Sequence, residues 1–138
     1  MTGRRYLYPH TRRIEVTMAL YAAGFGLHAL YLKIRIGTAG LSWAGVENGW
    51  AVAQTLVLAS LVHGFAIRIN GRLGPVSPLL RACAMSVFAG FFFSLAQAGA
   101  GTSAGFTYSA VTIGMAVGAI NAVMDTLDAG KVWVAKWT

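Results

Sequence analysis

The sequence predicts an all-α integral membrane protein of four transmembrane helices, packed as a bundle of two hairpins with both termini cytoplasmic. Three observations carry that reading. The first is composition: 57% of the 138 residues are hydrophobic and only 11% are charged, against about 25% charged in a soluble domain. The second is a repeat of small residues through a stretch with no charge between Arg81 and Asp125. Ala82, Ser86, Gly90, Ser94 and Ala98 recur at every fourth position, and Ala110, Gly114, Gly118 and Ala122 do so again after the loop 99–105. On a helix that interval collects side chains near one face, and small faces let helices pack closely where lipid supplies no hydrophobic drive between them. The third is the placing of cations. Arg4, Arg5, Arg12, Arg13, Arg68, Arg72, Arg81, Lys131 and Lys136 fall on one side of a four-span chain and Lys33 and Arg35 on the other, the bias that marks the cytoplasmic side.

The elements follow in order within a single transmembrane domain, 1–138. Residues 1–13 interleave Arg4, Arg5, Arg12 and Arg13 with Tyr6 and Tyr8, an interfacial composition of hydrated charges and headgroup-level rings. The run 14–32 follows without a small-residue cleavage site and reads as a retained span, since about 20 residues cross a hydrocarbon core of about 30 Å. Glu15 sits at its inner edge beside Arg12 and Arg13, where it is expected to pair locally or reach water, and Ala22 and Gly26 give this helix a small face. After Lys33 and Arg35 an outer loop carries Trp43 and leads to Trp50, both read as interfacial anchors. The second span, 50–67, places Ala51, Thr55, Ala59 and His63 at four-residue intervals, predicting its inward face. Two glycines and two prolines in 68–78 break the helix, and Arg68, Arg72 and Arg81 mark this loop as cytoplasmic. Spans 82–98 and 106–124 complete the bundle. The end, 125–138, reads as an interfacial tail in which Asp125, Asp128 and Lys131 meet on one face and Trp133 and Trp137 act as anchors.

Chemistry is sparse in this sequence. There is no nucleophile elbow, phosphate-binding glycine loop or metal-ligand cluster, so catalysis is not expected. The formal charge of +7 does not imply nucleic acid, because the cations are clustered between apolar runs rather than spread over a solvated face. His28 and His63 lie on different spans, the arrangement that holds haem in many membrane proteins, but near opposite ends of their helices; no cofactor or metal is expected. Gln54, His63, Gln97 and Asn121, with Thr112, are polar groups at or near membrane depth, expected to make interhelical hydrogen bonds. A wetted pathway would need a buried acid, and all four carboxylates fall at span edges. The lone Cys83 excludes an intrachain disulfide and is expected to be a buried structural thiol.

The run 91–97 (FFFSLAQ), the small-residue loop to Gly105 and the sequence Thr107-Tyr108-Ser109-Ala110 resemble the C-terminal half of small polytopic membrane proteins encoded by tailed phages and prophages, some of them called holin-like. The resemblance covers about a third of the chain and carries over no functional residue. It implies a phage setting; the expected location is a bacterial inner membrane. The expected function is a non-enzymatic protein that self-associates in the bilayer, holin-like or membrane-permeabilising, with lipids and further copies as partners. An accessory subunit of a larger membrane complex is the alternative, and a small secondary transporter a third.

Overall fold

The computed structural model describes residues 9–36, 48–69 and 74–135, with side chains described in the first helix from Arg13 to Arg35. Among these residues the chain is helical with no strand: α1 (Pro9–Ile36), α2 (Gly49–Arg68), α3 (Val76–Ala98) and α4 (Ser103–Val134). Each helix packs on its neighbour in sequence and α4 closes against α1, so the four form one up-and-down bundle.

Three of the four, α2, α3 and α4, are long and apolar enough to cross a membrane. α1 has the length but not the apolarity: Glu15 and His28 interrupt its run, and Arg12, Arg13, Lys33 and Arg35 stand near its ends. The expectation of four such spans is therefore met by three. The outer surface fits a bilayer, with Leu58, Leu61, Phe65, Phe93, Phe106, Ile113 and Ile120 all exposed.

The four-residue stripes are only partly the inward faces, and helix geometry explains why. A residue advances the helix by about 100°, so a strict step of four drifts by about 40° and leaves an interface within a few turns. Buried positions instead combine steps of three and four, as packed helices require: Glu15, Ala19, Ala22, Gly26 and Ala29 on α1; Ala53, Leu56, Ala59, His63 and Ala66 on α2; Arg81, Met85, Phe88, Phe92 and Leu95 on α3. On α2, Ala59 and His63 thus point in while Ala51 and Thr55 point out. On α3, Ala82 is buried but Ser86, Gly90, Ser94 and Ala98 are exposed. On α4, Gly118 and Ala122 are buried, Gly114 is half-buried against Met18, and Ala110 is exposed.

Packing is closest where glycines meet backbone. A Cβ on Gly26 would lie 3.1 Å from the Ala53 carbonyl oxygen, which sets the approach of α1 to α2. At the α3–α4 turn, a Cβ on Gly105 would overlap the Gly99 carbonyl. Thr102 caps α4 there, its hydroxyl accepting from the Gly105 N–H at 3.1 Å while donating to the Gly99 oxygen at 2.6 Å. Gly101 takes the positive φ of +82° that the turn needs. Phe88, Phe92, Leu95, Met85, Leu56 and Met115 fill the interior. Phe25 stands edge-on to Phe91 and Phe92, with ring centroids 5.5 and 5.4 Å away, joining α1 to α3.

Helices run past the predicted spans at both ends of α1 (Pro9–Ile36 against 14–32), at the start of α3 and at both ends of α4. α3 begins at Val76 rather than residue 82, because Ser77 and Pro78 sit in its first turn, where a proline's missing N–H costs nothing. α4 runs to Val134, so the predicted tail is, up to that residue, the same helix. At about 1.5 Å per residue its 32 residues extend about 48 Å, well beyond a hydrocarbon core of about 30 Å. Asp128 pairs with Lys131 at 3.4 Å on that extension, but Asp125 turns elsewhere.

Candidate functional site: an ionisable cluster joining four helices

The alternating direction of the helices brings the first part of α1 and α3 beside the last part of α2 and α4. Each helix contributes one ionisable side chain there: Glu15, His63, Arg81 and Asp125. Arg81 is the hub. Its Nε donates to Glu15 Oε2 at 2.8 Å and its Nη2 to Glu15 Oε1 at 2.6 Å, a two-pronged charge-assisted pair. Its Nη1 lies 3.1 Å from Asp125 Oδ2. His63 Nε2 stands 3.9 Å from Glu15 Oε2, too far for a hydrogen bond.

Burial grades across the cluster. The side chains of Glu15 and His63 are 0% exposed and that of Arg81 is 6%, whereas that of Asp125 is 37% exposed and gives the group its contact with the surroundings. The apolar wall is made by Phe88, whose ring centroid is 6.3 Å from that of His63, and by Met85. Gly118 admits the cluster to the α1–α4 interface, since a Cβ there would meet Met85 Cε at 2.5 Å and Glu15 Cγ at 3.6 Å. Beside it, the Ser77 hydroxyl donates to the Ala66 carbonyl at 2.6 Å. That carbonyl is one of the last four of α2, which lack helical partners. The Ser60 hydroxyl bonds the Ala19 carbonyl at 3.3 Å, adding a link between α1 and α2.

Two residues of this cluster stand far from where the sequence predicts them. Glu15 is not solvated; it is buried on the small face of α1 and paired with a residue of α3. Arg81, expected as an interfacial anchor, points into the bundle. Sequence reasoning assigns Glu15 to its neighbours because a partner 66 positions away is invisible to it. One signal did exist: Glu15 lies one step before Ala19, Ala22 and Gly26 on the same helix face, and a carboxylate on a packing face needs a partner.

The other polar predictions resolve differently. Gln54 and Gln97 are exposed and Asn121 is half-buried. The Thr112 hydroxyl donates to Tyr108 of its own helix. Cys83, expected to be buried, is exposed on the outer face of α3. Trp50, Trp133, Arg13 and Arg68 are exposed, and Trp133 lies against Gly74, where a Cβ would meet its Cδ1 at 3.2 Å. Arg4, Arg5, Trp43, Arg72, Trp137 and the side chain of Arg12 lie outside the described residues. His28 is exposed and lies about 20 Å along α1 from Glu15, the level of His63, so the two histidines do not meet within one chain. Among the described residues no group of three or more His, Cys, Asp or Glu side chains is arranged to hold a metal ion.

No protein-family model, curated protein or solved structure matches this chain.

Proposed function

We propose that the chain is a small integral membrane protein whose four helices all span the bilayer, with both termini cytoplasmic, and which self-associates through the outer face of α3 in the manner of holin-like, membrane-permeabilising proteins. The observation that supports this is the contrast between two outward faces. α4 presents Ile113, Val117, Ile120, Val123 and Leu127, a surface suited to lipid. α3 presents Cys83, Ser86, Gly90 and Ser94 in one column between the exposed Val87 and Phe93, with open space around Gly90 and the Ser94 hydroxyl turned back onto its own helix at 3.0 Å. Such a column lets a second helix approach closely. A second copy is the occupant this reading commits to, because copies inserted in one orientation bring identical small columns together in parallel. The bundle interior is filled by Phe88, Phe92, Leu95 and Met115, so a permeation path in this reading runs between copies.

Cys83, the chain's one cysteine, sits on the proposed interface and makes the test direct. Mild oxidation of membranes containing the full chain is expected to yield a disulfide-linked dimer, and high-level induction in bacteria a fall in membrane potential. Dimer without depolarisation points to the accessory-subunit reading, and the absence of a dimer overturns self-association through α3. The transporter reading gains one observation, the buried Glu15, which supplies the acid whose absence weighed against it.

A further inference from the structure

The ionisable cluster contains a group that the ion pairs leave unused. Both ring nitrogens of His63 lack a hydrogen-bond partner among the described residues, although the side chain is fully buried. Buried polar atoms are nearly always paired, and an exception calls for a reason. Whichever nitrogen carries the hydrogen of the neutral ring, the other is a basic nitrogen with nothing donating to it.

The charges around it are unbalanced. Around His63 stand Glu15 from α1 and Arg81 from α3, and Arg81 in turn holds Asp125 from α4; the buried face of α2 adds no other ionisable group. With the imidazole neutral, two carboxylates stand against one guanidinium, a net charge of −1; one added proton makes the cluster neutral. The acceptor for that proton's hydrogen bond is already near. Glu15 Oε2, 3.9 Å from His63 Nε2, accepts one bond from Arg81 Nε and has a second lone pair. A ring shift of about 1 Å closes the distance to that of an N–H···O bond.

We propose that this cluster is a proton-binding site, in which a proton from water binds the free imine nitrogen of His63 and the imidazolium donates to Glu15 without displacing Arg81. No other bond breaks, and Asp125 is the most exposed member of the cluster. A reversible proton acceptor enclosed by four helices ties the bundle's packing to acidity, whether or not the chain self-associates.

The test uses the full chain in phospholipid bicelles with ¹⁵N-labelled histidine, in a variant carrying His10→Asn and His28→Asn so that His63 is the single histidine. Between about pH 8 and about pH 3, which extends past both sides of the ordinary histidine range, the ring-nitrogen signals are expected to pass from the pattern of a neutral tautomer to that of an imidazolium while far-UV circular dichroism stays constant. Adding Asp125→Asn, which makes the cluster neutral before the proton arrives, is expected to move the midpoint to lower pH. A ring that stays neutral throughout in a folded chain overturns the proposal. So does protonation only with loss of helicity, or a midpoint indifferent to Asp125→Asn.

Discussion

Arg81 holds two carboxylates from two different helices, and the balance of forces at that one residue decides how the cluster responds to change. Burying an ion pair costs desolvation that its attraction roughly offsets, but removing one partner strands the other charge, at a cost of about 3–5 kcal/mol. Arg81→Met is therefore expected to destabilise severely, because Glu15 at 0% exposure loses the one charged hydrogen-bond donor it has among the described residues. The double variant Glu15→Leu/Arg81→Met should be far milder than either single change. Loss of helicity during titration with SDS measures this, and a double variant as damaged as the sum of the singles would contradict it. Asp125→Asn breaks a pair that is 37% exposed on one side and should cost about 1 kcal/mol or less. Little of this site is legible in the sequence. The residue types are visible, but charge clustering and hydropathy report only local neighbours, and Glu15 and Arg81 meet through tertiary packing.

At the scale of the helix, most of the fold is legible because apolar length, proline and glycine are local signals. α2 is predicted within one residue at each end, and the turn between α3 and α4 is placed by its glycines. The faces are less well read, since a four-residue repeat drifts around the helix and only a combination of three- and four-residue steps stays inside. That distinction separates the glycines into testable groups. Gly105→Ala drives a Cβ into the Gly99 carbonyl, backbone that has no room to yield, and is expected to lower stability by about 1–3 kcal/mol. Gly114→Ala meets only the flexible tip of Met18 at 3.2 Å and should change stability little. Comparable losses at both positions in the same SDS titration would show that the α3–α4 turn is not the tight point described here.

For the whole molecule, the same class of small residue serves two ends. Gly26, Gly105 and Gly118 are spent inside the bundle, while Gly90 lies on its surface beside Cys83, Ser86 and Ser94. The interior closes around an apolar core and one polar cluster, and the proposed self-association depends on the surface column of α3. Substitution at Gly90 probes that surface with the core untouched, because nothing lies within 4 Å of its Cβ position. The most direct measurement is sedimentation of the wild-type chain and Gly90→Leu in the same mild detergent, with helicity checked by circular dichroism. The account predicts an oligomer for wild type and a shift toward monomer for a fully helical Gly90→Leu. A monomeric wild type, or an oligomer that Gly90→Leu leaves unchanged, would contradict it.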